Sequence, residues 1–253
     1  MADVRKQVHD SAISKIPEVP PGQIGCGFIG EQRSGKTTTA QALIQRHPLT
    51  YKVAFADQVR EEVARAVSQG QGPDEYRRVR DDMAMRKELW RPILQVWGTE
   101  LRRYIYDSHY WITRHRNALI NNVPAWAFVV VDDTRFFNEI DYLRNERTWP
   151  IVLCQPKPFS VFEQAQRIQE MASGRDPTDH ASEVQWRHIT PDITLPWTDL
   201  RDRVIALEEA LASWYAATPR KGHYALWEAG NLPAALPRHG GVIEPTMFPE
   251  WAD

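Results

Sequence analysis

The run GEQRSGKT, Gly30 to Thr37, spaces two glycines, a lysine and a threonine in the pattern of a P-loop. Glycine lets the backbone curl so that successive N–H groups point at phosphate oxygens, and Gly30 and Gly35 are the two points where this is needed. Lys36 then reaches the outer phosphates as a charge, and the Thr37 hydroxyl is placed to ligate Mg²⁺. Gln32, Arg33, Ser34 and Thr38 complete the cradle, and a helix opening at Lys36 adds its positive dipole end. The implied ligand is ATP or a similar nucleoside triphosphate with its magnesium ion. VVVDDTR, Val129 to Arg135, is a second signal, because an acid at the end of an apolar strand supports such an ion, usually through water. Asp132 and Asp133 both qualify, and strand alternation sends them to opposite sides, so only one faces the nucleotide.

Two further segments suit a second substrate. DQVR, Asp57 to Arg60, follows an apolar run at the carboxyl end of the expected sheet, and Arg60, one turn into a helix, is able to grip a phosphate bidentately. LQVWGTELRR, Leu94 to Arg103, sets Gln95, Trp97 and Gly98 inside a helical pattern. A glycine there costs about 1 kcal/mol against alanine, so a ligand or a close backbone is expected beside it. Gln95 suits a base edge, Trp97 a stacking contact, and Arg102 or Arg103 an acceptor phosphate.

Positioning these groups requires an alternation of strands and helices. Strands are expected at 24–29, 51–56, 126–133, 150–154 and 192–195. Helices are expected from Lys36 to Arg46, after Asp57 as N-cap, from Pro92 as a first-turn residue, over Tyr110 to Ile120, after Phe136, from Pro158 to Gly174, and from Thr198 to Ala217. That order predicts a parallel sheet with helices on both faces. Residues 1–22 form a polar arm, 23–215 the folded domain, and 216–253 a Pro- and Gly-rich tail.

A net charge of −2 gives no reason to expect nucleic-acid or membrane-surface binding. No apolar run reaches the length of a membrane span. The two cysteines, Cys26 and Cys154, sit in apolar runs and read as small buried hydrophobes, so a reducing cytoplasm is the default compartment. A homodimer is left open.

Taken in order, GEQRSGKTTTA, FADQVREEV, LQVWGTELRR with Tyr110-Trp111, VVVDDTRFFNEIDYLR, and HASE followed by DITL resemble the deoxynucleoside monophosphate kinases of bacteriophages, relatives of the adenylate kinase type. The resemblance covers roughly 24–212. Departures are Arg60 where lysine is common, Thr37 where aspartate is common, Phe137 in place of proline, and CQPKP where many relatives have an arginine. The resemblance implies a three-layer α/β/α P-loop fold with a five-stranded parallel sheet, a helical monophosphate-binding insertion at about 57–122 and a lid at about 170–183. It implies ATP and Mg²⁺, a host-cell cytoplasm, and a deoxynucleoside monophosphate as partner. It assigns the Asp-x-Arg pair to Asp133 and Arg135, so that Asp133 joins Thr37 at the metal. It also implies a substrate pocket from Asp57, Arg60, Gln95, Trp97, Arg102, Arg103, Asp133, Arg135, Asn138 and Glu139, and charge neutralisation by Lys36, Arg135, Arg167 and Arg175. Two rivals are a phosphomevalonate-kinase-like enzyme, whose substrate has no base, and a P-loop ATPase or binding module for DNA handling.

Overall fold

The computed structural model describes residues 23–158, 160, 163, 169 and 185–218. The N-terminal arm, Arg167, the expected lid with Arg175, and the tail beyond 218 lie outside the described residues. Five strands, β1 Ile24–Ile29, β2 Thr50–Lys52, β3 Phe128–Val131, β4 Ile151–Cys154 and β5 Ile193–Leu195, form one sheet in the order β2-β3-β1-β4-β5. Every pairing is parallel. The protein is therefore an α/β fold on an all-parallel sheet.

Strand alternation explains why both faces are covered. Ile24, Cys26 and Phe28 of β1 and Phe128 and Val130 of β3 join one apolar cluster. Ile29, Val129 and Val131 belong to another. Against the first pack α1, Lys36–Arg46, through Ala40 and Leu43, and α7, Leu200–Ala216, through Val204, Leu207, Leu211 and Tyr215. Against the second pack α5, Tyr110–Asn122, through Trp111, Ile112 and Leu119, and the segment around α6, Phe137–Asp141, through Ile140, Tyr142 and Leu143. Parallel strands buried on both faces read as continuous apolar runs, as 128–131 does. Cys26 and Cys154 are buried and free, and burial pushes both thiols up.

The chain leaves β1 into α1 on one face and leaves its neighbour β3 into α6 on the other. Between the carboxyl ends of these two strands lies the kind of crevice where open α/β sheets bind ligands. Over it stand α2, Phe55–Val67, α3, Pro73–Met85, and α4, Lys87–Gln95, the last continuing as a wide π-helical segment, Val96–Tyr106. Val63, Ala64, Val79 and Met83 give these helices a small core of their own. Buried Glu61 ties α2 to α3 by accepting from Tyr76 and Arg80.

Some boundaries differ from expectation, each for a physical reason. β2 ends at Lys52 and α2 opens at Phe55, so Asp57 lies in the first turn and is not the N-cap. The cap comes from another element: Asp133 Oδ1 accepts from Phe55 N at 3.0 Å and its Oδ2 from Ala56 N at 2.6 Å. Pro92 sits inside α4, not in its first turn. Proline has no N–H to give the helical ladder, and the chain widens into π geometry from Val96. Asp199 caps α7 by accepting from Asp202 N at 3.1 Å. Among the described residues, no helix is long and apolar enough to cross a membrane.

Candidate active site

The glycine loop joins β1 to α1. Gly30 has φ 136° and Gly35 φ 86°, conformations that L side chains rarely adopt. Space is closed at both as well: a Cβ on Gly30 would lie 2.6 Å from Cys154 O, and one on Gly35 2.6 Å from a guanidinium nitrogen of Arg203. Gly35 stands at the N-terminus of α1, where backbone N–H groups lack helical acceptors. Ser34 is fully buried, while Gln32, Arg33, Thr37 and Thr38 are exposed. Lys36 folds back over the loop, its Nζ donating to Gly30 O and Glu31 O at 2.6 Å each.

At the end of β3, buried Asp132 receives Lys52 Nζ at 3.3 Å. Burial opposes the Lys52 charge, but Asp132, Asp57 and Asp133 together hold its pKa above the usual value. Asp133 is partly buried, and burial, then the charges of Asp132 and Glu139, push its carboxyl up to about 7. Mg²⁺ commonly keeps waters and substrate phosphates and takes only one or two carboxylates or hydroxyls from protein. The residues of the chain that would hold such an ion are the exposed Thr37 hydroxyl and one acid of the Asp132–Asp133 pair. Both Asp133 oxygens already accept backbone N–H bonds, which leaves Asp132 as the alternative metal partner.

Beside Asp133 opens a cavity of about 220 Å³. Its floor comes from Phe55, Ala56, Val59 and Arg60 of α2, its far wall from Lys87, Arg91, Leu94, Gln95, Gly98, Thr99 and Arg103. Arg135, Phe136 and Glu139 close it near α6, with Met83 and Trp111 completing the apolar part. Five of these residues are cationic (Arg60, Lys87, Arg91, Arg103, Arg135) and two acidic (Asp133, Glu139); Arg60, Arg91 and Arg103 are paired with Asp57, Glu88 and Glu139, which leaves a smaller positive excess facing the cavity. Arg60 is steered by Asp57, whose Oδ1 accepts from it at 2.6 Å. Arg103 is buried against Glu139 and over the Phe136 ring, its carbon 3.8 Å from the ring centre. The second Glu139 oxygen accepts from Arg135 N at 2.9 Å and Phe136 N at 3.1 Å, which fixes the turn after β3. Gly98 lies beside Val59, where an added Cβ would meet the methyls at ordinary contact distances of 3.4 and 3.5 Å, so close approach does not require the glycine; its carbonyl accepts from Trp111 Nε1 at 2.7 Å.

Of the expected substrate residues, Arg60, Gln95, Arg103, Asp133, Arg135 and Glu139 meet in this cavity. Asp57 and Asn138 support it from behind, Asn138 by accepting from Arg103 at 3.3 Å. Trp97 and Arg102 are not among its lining. The Trp97 indole N–H donates to Glu62 at 3.0 Å, and Arg102 pairs with Glu62 while its guanidinium lies 5.4 Å from the Trp97 ring centre. Tyr110 also donates to Glu62, at 2.5 Å, so this group ties α2, the π-helical segment and α5 together. Of the two arginines left open, Arg103 lines the cavity and Arg102 does not.

Three contributors had not been anticipated. Lys87 and Arg91 line the cavity on α4, and no sequence signal distinguishes them from surface charges. Arg203 of α7, buried at 3% exposure, donates to Ser34 O at 2.7 Å. Its signal was present: Arg203, Leu207, Leu211 and Tyr215 recur every four residues, which places an arginine in an apolar stripe. Comparison of the chain with protein-family models and with curated proteins finds no match.

Proposed function

We propose that the protein transfers the γ-phosphoryl group of ATP to a deoxynucleoside monophosphate. The observation that carries this reading is the pairing of two anion-favouring sites at the ends of the neighbouring strands β1 and β3. One is the glycine loop with Lys36, the other the cavity lined by five cationic side chains. Phosphoryl transfer asks little covalent chemistry of a protein, so positioning and charge neutralisation are what it must supply. Lys36 and the loop N–H groups hold the donor phosphates, and bound Mg²⁺ on Thr37 and an aspartate would neutralise charge there. Arg60, Arg103 and Arg135 hold the acceptor phosphate, itself an anionic nucleophile that needs no strong general base. Phe55, Val59, Met83, Leu94 and Trp111 give the cavity an apolar part, and Gln95 a polar edge, which suits a flat base better than a small aliphatic substrate. The deoxy sugar and the bacteriophage-type kinase assignment rest on the resemblance of the ordered motifs.

The test is a coupled assay of ADP release with ATP, Mg²⁺ and a panel of deoxynucleoside and nucleoside monophosphates, with phosphomevalonate as a control. Release that depends on one or more deoxynucleoside monophosphates is expected. ATP hydrolysis indifferent to every acceptor, or turnover with phosphomevalonate alone, would overturn the assignment.

A further inference from the structure

The glycine loop is held from behind by a cation that belongs to neither substrate cavity. Arg203 reaches from the first turn of α7 with its guanidinium spread over three carbonyls: Ser34 O at 2.7 Å, and Gln155 O and Pro196 O at 3.3 Å each. Gln155 follows β4 and Pro196 follows β5, so one side chain ties the loop to the exits of two strands. Trp197 covers it, with the guanidinium carbon 4.5 Å from the ring centre. Among the described residues no carboxylate pairs with Arg203, and its Nε, also buried, has no partner. Buried guanidinium groups are ordinarily matched by an anion, since desolvation of an unpaired charge costs several kcal/mol.

We infer that Arg203 is a positioning residue for the donor phosphates: by gripping the Ser34 carbonyl it fixes the Ser34–Gly35 peptide with its N–H turned toward the phosphate site. The reason is covalent. In a planar trans peptide the C=O and N–H point in opposite directions, so a carbonyl pinned toward Arg203 sends the Gly35 N–H the other way. A flip of this one peptide would present an oxygen where a phosphate oxygen must sit. Gly35, at φ 86°, has the freedom to flip, and that positive φ favours a residue without a Cβ, beside which the guanidinium packs. The buried charge adds positive potential beneath the loop, and Arg203 and Lys36 act together on the Cys154 thiol at the end of β4. The assignment rests on the donor reading of the glycine loop and extends it.

The experiment measures MgATP binding by titration calorimetry, and the KM values for ATP and for each of the four deoxynucleoside monophosphates, in wild type, Arg203→Met and Arg203→Lys. In Arg203→Met the dissociation constant and KM for ATP should rise at least ten-fold, while acceptor KM values stay within two-fold. Arg203→Lys, which keeps the charge but not the fork, should fall between. A folded Arg203→Met with ATP affinity within two-fold of wild type overturns the inference, as does an equal loss toward both substrates. If Arg203→Met does not fold, Arg203→Lys decides, with a loss of three-fold or more confined to ATP expected and no loss, or an equal one, refuting. Wild type that binds no MgATP would instead remove the donor reading itself.

Discussion

Replacing Glu139 by glutamine should destabilise the protein through a single lost charge. The carboxylate is 1% exposed and divides its work between two oxygens. One takes the buried Arg103 guanidinium, and the other accepts from the N–H groups of Arg135 and Phe136. Glutamine keeps the second set, because its single carbonyl oxygen fits the position that accepts both backbone bonds. Its NH2 then faces Arg103, donor against donor, and a cation that is 7% exposed loses its counter-charge. Breaking a buried pair from one side costs about 3–5 kcal/mol. In a chain of this size that corresponds to a fall in Tm on the order of 6–20 °C. The decisive arm is the double variant. In Arg103→Met with Glu139→Gln no charge remains to be stranded, so it should be more stable than Glu139→Gln alone by roughly 2 kcal/mol, within the coupling range of contacting residues. Urea unfolding followed by circular dichroism at neutral pH measures all four states of the cycle. A loss under about 1 kcal/mol in the glutamine variant, or strict additivity in the double variant, would show that the buried pair is not what holds this turn.

Lys36→Ala should lower kcat by at least about 10²-fold, as removal of a group aimed at developing charge does, while leaving the urea midpoint near wild type, since Nζ donates to loop oxygens and is not part of the apolar core. Near-full activity in a folded variant would remove the loop from the chemistry. Arg60→Ala should raise the acceptor KM several-fold more than the ATP KM in the coupled assay; equal effects would place the acceptor elsewhere. Asp133 has its folded pKa raised to about 7, so its contribution to stability is complete below its ordinary value near 3.8 and is lost as pH rises through about 7. Asp133→Asn does not titrate, so its stability relative to wild type should improve between pH 4 and 8, by at most about 4 kcal/mol, in urea midpoints taken across that range; a difference independent of pH would refute the shift.

The elements whose sequence signal is local were legible. IGCGFI and KTTTAQALIQR have the expected bounds because an apolar run followed by a glycine loop, and a helix stopped before Pro48, are settled within a few residues. The five-strand parallel sheet followed from the alternation of elements. What could not be read were ends decided by groups distant in sequence. Asp57 has the chemistry of an N-cap and sits where one is wanted, but Asp133, brought over from β3, accepts the first N–H groups of α2, so the helix opens three residues earlier. Local propensity lost to a tertiary hydrogen bond.

The candidate site divides in the same way. Lys36, Thr37 and the glycines are consecutive, and their pattern carries its own geometry. The acceptor side draws on α2, α4, the π-helical segment and the turn after β3, and adjacent residues there do opposite work. Arg102 and Arg103 are indistinguishable in sequence, yet one faces Glu62 among Trp97, Tyr106 and Tyr110 and the other faces Glu139 in the cavity. A π-helical turn advances side chains by a smaller angle than the α-helical period assumes, so a helical-wheel reading of 96–106 assigns faces wrongly from the first residue onward. Trp97, expected to stack on a base, has its indole N–H bonded to Glu62, and the lining of the cavity falls to Gln95, Gly98 and Thr99. Within this segment the Gly98 carbonyl accepts from Trp111 Nε1, and Gly98, Thr99 and Arg103 line the cavity, so the irregular stretch is itself a wall of the site.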